Sequence, residues 1–485
     1  PGVLGDGLWF GFYEKKPTIF SISEPWGARK WWPCKDYPDD KATFDIYLSV
    51  PADMFAASNG SYIGYSDETF WDAPFKRYHW SENYPMATYL FMISATDYVR
   101  LDDYWVYSQE DSMLISYYVF PAKIYIGMAY KIIATTVPML DYFSSLFGLY
   151  PFVDDKYGIA LWDARGGSME HQTLTNMSTR DFRGGHNAAH ELAHSWFGNS
   201  ISPKDWTHIW LNEGFAEYSE WLWLEHTEGP DSLRSYFKEW ILGIPQIKET
   251  LNFSMEKDPD KDDNSPNYYF QPVDYRKGPY ILHMLRHITG DEIFFRILKS
   301  YATDPRFQYS VAEINDFIEI CENHYGSSLD WFFDRWLFPE YSGEIPQYLW
   351  EWSSLTSEKN SEITIKVYQE QEELYTMPVE FRIMTSTGQI DTLLWVDERY
   401  DELNIVLEDS VLDVELDPDL WILCDKTYGI PTEKDNPSEI IFTYDLDDLE
   451  GYNFSSPAIG DDSTVYVGVI RSYPKNYFIL YAFNP

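Results

Sequence analysis

The chain is short of cysteine, short of basic residues and without a long apolar run, and each shortage removes a class of protein. Three of its 485 residues are cysteine, Cys34, Cys321 and Cys424. They lie far apart, can form one bridge at most and make no CxxC pair, which excludes a disulfide scaffold and a thiolate metal site. Lys and Arg together number 36 against 78 Asp and Glu, a formal charge of −42. A field of that sign repels nucleic acid and anionic membrane, and it draws cationic ligands. No apolar stretch approaches the roughly 18 residues that span a bilayer, so no membrane span is expected. Neither a Met nor a signal-like segment opens the chain at Pro1. The expectation is a processed or truncated piece, with any export signal outside it.

What is present is ordinary globular material with many rings. Hydrophobic residues make up 45%, charged residues 24% and aromatics 18%. That composition excludes a disordered or collagen-like chain and allows large cores and aromatic-lined clefts. At roughly 150 residues per domain, about three domains are expected. Residues 1–120 read as a β domain: Phe44–Val50 partly alternates, and Tyr89–Ile93 is a continuous apolar run. From 121 to 340 the apolar spacing turns helical, with helices expected at 123–147 (interrupted near Pro138), 185–199, 212–227, 274–289, 291–301, 311–325 and 328–337. A second β unit is expected at 341–426, where Glu362–Val367 alternates cleanly and Leu403–Leu407 less strictly. Residues 427–437, with Gly429, Pro431 and Pro437, read as a linker. Strand-like sequence returns at 438–485.

The segment that carries chemistry is His190-Glu191-Leu192-Ala193-His194. On a helix, positions i and i+4 share a face about one turn apart, so both imidazoles can point a nitrogen at one zinc ion. Glu191, one step round, can reach a water on that metal without ligating it. Alone, the motif leaves open two histidines on a polar face with an incidental Glu. A second amphipathic helix begins at Leu211-Asn212-Glu213-Gly214-Phe215-Ala216-Glu217-Tyr218, and Glu213 lies 19 positions after His194. That spacing allows a loop and a returning helix that brings a carboxylate to the same metal. Three protein ligands plus a water make an open, catalytic site, with one zinc per chain.

The paired motifs HELAHSWFGN and LNEGFAEY resemble the double signature of the aminopeptidase N family of zinc peptidases, gluzincins that include the leukotriene hydrolases. Gly167-Ser168-Met169-Glu170-His171 resembles the family's GxMEN exopeptidase motif, with His171 in place of Asn. Tyr275-Arg276-Lys277-Gly278 resembles its Tyr-acid-Lys-Gly motif, with Arg276 in place of the acid. Ser23–Arg29 and Trp32–Asp36 resemble the end of its N-terminal β domain, although Ile22 stands where the family usually has Gln. The likeness spans about residues 1–426.

That resemblance implies a multidomain α+β fold: an N-terminal β domain, a thermolysin-like, mainly helical catalytic domain, a β-sandwich and a partial all-β module. It implies His190, His194 and Glu213 as zinc ligands, Glu191 as general base and Tyr275 as hydrogen-bond donor to the oxyanion. Glu170 and Glu24 would receive the substrate's free α-amino group, beside Gly166, Gly167 and Met169. Glu217, one turn after Glu213, would orient a ligand histidine from behind the metal. With Tyr275 facing the metal, the Arg276 side chain is expected to point away. The implied activity is removal of N-terminal residues from peptides with a free N-terminus. The same chemistry serves an endopeptidase or an epoxide hydrolase, and a degenerate member would be a binding scaffold; the intact ligand and base set argues against the last.

Three further signals are weaker. His283 and His287 are also i, i+4 but lack the intervening Glu, and read as belonging to an ordinary helix. Asp445–Glu450 lacks calcium-loop spacing and reads as a solvated turn. Residues 455–468 and 480–483 resemble one blade of a PQQ-like β-propeller, and one blade cannot close a propeller. That tail underlies the expectation of an exported, periplasmic or extracellular protein.

Overall fold

The computed structural model describes residues 7–162, 167–184, 187–242, 275–338, 345–356 and 360–429, and the strands 452–454, 458–459, 465–471 and 477–483. The chain divides into two compact units, residues 1–344 with 419–423, and residues 345–418 with 424–485.

The first unit opens in β structure. Strands Gly7–Tyr13, Lys16–Ile22, Ile93–Thr96 and Phe55–Ser58 form one sheet in that order, and Ala42–Pro51, Ala73–Met86 and Ser61–Phe70 form another. A third sheet runs Thr175–Ser178, Tyr157–Trp162, Ser112–Val119, Val99–Val106. Its two middle strands pair in parallel, Tyr157 opposite Ile115 through Ala160 opposite Tyr118. This sheet crosses the boundary expected at residue 120, so no division between compact units falls there. The Tyr89–Ile93 run is also not a strand throughout. Thr88–Leu90 is a 3₁₀ turn, and the strand begins at Ile93. The run is apolar because Tyr89 and Leu90 pack with Trp26, Met169, Trp206 and Ile209 in a buried cluster, and an apolar stretch without alternation does not distinguish strand from buried turn.

The helices are α1 (Lys123–Phe147), α2 (Thr179–Gly184), α3 (Asn187–Ala193), α4 (Trp210–Glu228), α5 (Pro230–Tyr236), α6 (Lys277–Thr289), α7 (Asp291–Ala302), α8 (Ile314–Tyr325) and α9 (Asp330–Leu337). Most follow the apolar spacing. α1 runs unbroken through Pro138, because its buried stripe of Ile132, Ile133, Thr136, Met139, Leu140, Phe143 and Phe147 continues across that residue. Burial along the stripe outweighs the roughly 3 kcal/mol an internal proline costs. α2, α5 and a π turn at Phe237–Ile241 were not expected. The helix expected at 185–199 closes at Ala193, and bonds from Asn199 N–H to His194 O and from Ser200 N–H to Ser195 O wind the chain more loosely after it. His194 still donates its N–H to His190 O at 3.3 Å, so the i, i+4 relation of the histidines survives.

Up to Tyr428 the second unit holds two sheets among the described residues. One runs Tyr400–Leu407, Ser361–Gln369, Gln347–Thr356, Asp425–Tyr428, and the other Gln389–Val396, Met377–Thr385, Val411–Leu416. Ser361–Gln369 alternates buried and exposed positions as its sequence predicts, and Trp350 of one sheet meets Phe381 of the other, ring centroids 6.0 Å apart. Thr427 and Tyr428, expected to begin a linker, lie in the last strand of the first of these sheets. Residues 430–437 of that linker and Asp445–Glu450 lie outside the described residues. Farther on, Val465–Arg471 pairs antiparallel with Tyr477–Phe483 on one side and with Tyr452–Phe454 and Ala458–Ile459 on the other. That is one small sheet, and the propeller resemblance gains no further support from it. Among the described residues no helix is long and apolar enough to cross a membrane.

Candidate metal centre and active site

Antiparallel return of the chain from α3 to α4 assembles the site. His190 lies in α3, His194 just past its end, and Glu213 in the first turn of α4. The two histidine Nε2 atoms stand 3.0 Å apart, and the Glu213 Oε2 atom lies 3.3 Å from that of His190 and 3.7 Å from that of His194. All three residues are buried.

The far side of each ring decides what the near side offers. His194 Nδ1 faces two acceptors, Asn212 Oδ1 at 2.6 Å and Phe197 O at 3.1 Å. His190 Nδ1 faces the Glu217 carboxylate at 3.4 Å. Each Nδ1 therefore carries a hydrogen, which leaves both Nε2 lone pairs directed at each other and at a carboxylate oxygen. Such a cluster is repulsive without a cation at its centre. The separations match the edges of a tetrahedron around zinc, roughly 3.3 Å for ligand distances near 2.0–2.1 Å. Without a metal, a proton can serve instead: burial disfavours the imidazolium of His190, but hydrogen bonds to Glu213 and Glu217 hold its pKa well above the usual histidine range. The residues present thus fit a zinc ion.

Glycine makes the His194 support possible. Gly198 has φ +121°, and a Cβ there would lie 2.0 Å from Asn212 Oδ1. Asn212 also turns its amide outward, donating through Nδ2 to Glu170 Oε1 at 3.3 Å. It thereby joins the metal ligands to the opposite wall. Sequence reasoning gave Asn212 and Gly198 no role, although both stand inside the two signature motifs. The signal was available: a side chain one residue before Glu213 lies about 100° round the helix, towards the returning loop.

A cavity of about 450 Å³ opens over the three donors, lined by Glu24, Gly167, Ser168, Met169 and Glu170 on one side and by Glu217, Glu220, Tyr236, Tyr275 and Arg276 among others. The expected residues that are described therefore gather in one place. Gly166 lies outside the described residues. Glu191 faces the cavity with Oε2 buried and without a partner among the described residues, and burial, opposed by His190 and aided by Glu170 and Glu213, raises its pKa well above the usual carboxylate range. Tyr275 hydrogen-bonds to Glu213, and burial beside Glu213, Glu24 and Glu170 keeps its phenol protonated. Glu24 has Oε1 buried and unpartnered; burial and the adjacent Glu170 charge push its carboxyl pKa up. Two carboxylates that crowd each other in this way are a receptor for a cation.

One expectation is corrected here, and two departures from the family motifs find their places. Arg276 does not point away from the metal: it lines the cavity and reaches Glu217, Nη1 to Oε1 3.6 Å. The reason is that α6 starts at Lys277, three residues later than expected, and Arg276 itself is non-helical with φ −120° and ψ −56°. His171 is buried, held neutral by burial with its pKa down at about 3, and is absent from the cavity lining. Ile22 is likewise turned into a core cluster with Phe20 and Trp162. His283 and His287 are confirmed as packing residues, both rings stacking on Trp421 at 4.5 and 5.1 Å.

Comparison with known proteins agrees with this geometry. Residues 10–90 match the peptidase M1 N-terminal domain and residues 133–336 the peptidase family M1 domain. The chain belongs to peptidase family M1, the aminopeptidase N family of zinc metallopeptidases. Among its relatives, Aminopeptidase M1 of Arabidopsis thaliana is 30% identical over 364 residues, 69% of this chain and 39% of that protein. Human Aminopeptidase N is 29% identical over 338 residues, 64% of this chain and 34% of that protein. The chain thus spans under two fifths of the length of these relatives. Aminopeptidase A of Legionella pneumophila, solved with aspartic acid, shares the fold over 89% of this chain and 50% of its own, with TM-score 0.72 and 19% identity. The M1 zinc metallopeptidase of Deinococcus radiodurans aligns over 66% of this chain and 68% of its own, with TM-score 0.55 and 25% identity.

Proposed function

We propose that this chain is a zinc-dependent aminopeptidase that hydrolyses the first peptide bond of substrates with a free N-terminus. The observation that carries the reading is one cavity holding a three-donor metal cluster, an unpartnered glutamate beside it and a pair of crowded carboxylates. His190, His194 and Glu213 hold one zinc. When bound, that ion polarises the scissile carbonyl and acidifies a water. Glu191 takes the water's proton and returns it to the leaving amine, a task suited to a carboxyl whose pKa is raised by burial. Tyr275 donates its hydroxyl hydrogen to the oxyanion, a contact stronger in the transition state than in the ground state. Glu24 and Glu170 bind the α-ammonium, and Met169 and Gly167 form the wall beside it. The helical region is read as thermolysin-like, and the two sheets of residues 345–429 as a β-sandwich, supported by their alternating burial and the Trp350–Phe381 contact.

A metal-activated water alone would attack any peptide bond in reach, so exopeptidase character rests on the carboxylate pair. Free aminoacyl fluorogenic amides should be cleaved in a chelator-sensitive way, and their N-acetyl forms hardly at all. A buried charge left without its partner costs several kcal/mol, so Glu170→Ala should lower kcat/KM on free substrates far more than on blocked ones. Equal rates on free and blocked substrates would sink the aminopeptidase reading in favour of an endopeptidase.

A further inference from the structure

Behind His190 the structure contains a chain of contacts that runs through Glu217 to Arg276 and Tyr236. Glu217, one helical turn after Glu213 on α4, places Oε2 3.4 Å from His190 Nδ1. Its other oxygen lies 3.6 Å from Arg276 Nη1. The same Arg276 nitrogen stands 3.4 Å from the Tyr236 hydroxyl at the end of α5. One guanidinium therefore ties α4, α5 and the entry to α6 together, directly behind a metal ligand.

The charges around Glu217 explain why it needs such an anchor. A Glu220 oxygen, a Glu217 oxygen and a His190 ring nitrogen lie within 4.8 Å of one another. Crowding of this kind is unfavourable: burial and the Glu217 charge push the Glu220 pKa up to about 8. Among the described residues lining the cavity, Arg276 is the one Lys or Arg, set against Glu24, Glu170, Glu191, Glu213, Glu217 and Glu220. An acidic side chain at this position, the residue type of the resembling motif, would add a third negative charge beside Glu217 instead of neutralising it.

We propose that Arg276 is a positioning residue for the metal centre: through Glu217 it fixes the orientation of the His190 ring, and thereby the tightness with which zinc is held. A carboxylate opposite Nδ1 keeps the hydrogen there and the Nε2 lone pair aimed at the metal, and raises the ligand's basicity. Arg276 acts one step farther back, keeping that carboxylate in place. The inference rests on zinc being held by His190, His194 and Glu213.

The test measures zinc release from the full-length, zinc-loaded protein into excess chelator, read with a chromophoric indicator and independent of turnover. Arg276→Gln should release zinc about tenfold faster than the unmutated protein, the low end of the loss seen when an outer partner of a ligand is removed. Glu217→Gln should be at least as fast. Adding Arg276→Gln to Glu217→Gln should change nothing more, because the link it acts through is already gone. Should Arg276→Gln not fold, Arg276→Met takes its place, since it also removes the charge while keeping the packing stem. Unchanged release in the single variant, or a further tenfold acceleration in the Glu217→Gln background, would overturn the proposal. An unmutated protein that holds no zinc would overturn the zinc reading itself, which is a separate result.

Discussion

Neighbours that touch neither metal nor substrate decide how each side chain in this site behaves. His194 presents a bare Nε2 because Asn212 and Phe197 occupy its other nitrogen. Glu191 can act as a base because nothing among the described residues hydrogen-bonds to its Oε2 atom. Glu191→Gln keeps the shape but cannot take a proton. It should retain about one zinc per chain, measured by metal analysis, while hydrolysis drops about 10²–10⁴-fold or more. Near-normal turnover in that variant would remove Glu191 from the base role. Tyr275→Phe should lower kcat about 10²–10³-fold with little change in KM, because the lost hydrogen bond belongs mainly to the transition state. A change confined to KM would contradict the role. The nearby Tyr280 is the control: it is buried and its hydroxyl donates to Leu420 O, so it offers nothing to the oxyanion. The candidate ligands and base were legible in sequence because metal chemistry restricts residue type and spacing, and the candidate amine-binding acids came through the family resemblance. Asn212, Gly198 and the Arg276–Glu217 contact were not, because support from behind depends on how two helices meet.

The meeting of α4 and α6 is governed by one tryptophan and two glycines. Trp210 opens α4 fully buried and donates through Nε1 to Gly278 O at 2.9 Å. A Cβ on Gly214 would lie 2.5 Å from Trp210 Cδ1, and one on Gly278 would lie 2.8 Å from the same atom. Both glycines belong to the signature motifs, one just after Glu213 and the other three residues after Tyr275. They bring the metal-ligand helix and the helix behind Tyr275 close enough to share one cavity. Gly214→Ala should therefore destabilise the protein despite the better helix propensity of alanine, worth up to about 1 kcal/mol. Overpacking a filled site costs about 1–3 kcal/mol, so a net loss of about 1–2 kcal/mol is expected, with looser zinc because Glu213 is adjacent. An unchanged thermal midpoint in a melt monitored by circular dichroism would show that the helices can separate without strain. Apolar spacing was a good guide to the long helices because each buries one stripe, as α7 does with Phe294, Ile297, Leu298 and Tyr301. It failed where no stripe exists. α5 and the following turn are short, and Tyr89 and Leu90 are buried in a turn whose core comes from distant residues.

At the scale of the molecule, the change in texture near Pro121 falls between the two family-matched stretches, residues 10–90 and 133–336, yet both lie in one compact unit and the strands cross that point. Composition registers the switch from strands to helices, but it does not register which strands pair. Ser112–Val119 lies before that point and Tyr157–Trp162 after it, and the two pair in parallel in one sheet. Buried polar contacts reinforce the junction. Lys156 donates to Ser58 O at 3.1 Å and to Gly60 O, Asn59 donates to Gln172 O at 2.6 Å, and Glu82 accepts from Gln172 at 3.1 Å and from Thr173 at 3.2 Å. Lys41 donates to Asn199 O at 2.8 Å and to Ser200 O at 3.0 Å, five and six residues after His194, and Asn199 in turn donates to Glu170 O at 2.7 Å. Removing the first 120 residues would strip the partner from one edge of Tyr157–Trp162 and leave the buried Lys156 ammonium without its carbonyls. It would also delete Glu24 from the amine pocket. Unsatisfied buried donors cost about 1–3 kcal/mol each, more when charged, and total stabilities are about 5–15 kcal/mol. A chain beginning at residue 121 should therefore show no cooperative thermal transition for its helical region and hold no stoichiometric zinc, while the 485-residue chain shows both. Cooperative melting with one zinc bound in the shortened chain would mean that the helical region folds alone and that the N-terminal strands serve only to complete the substrate pocket.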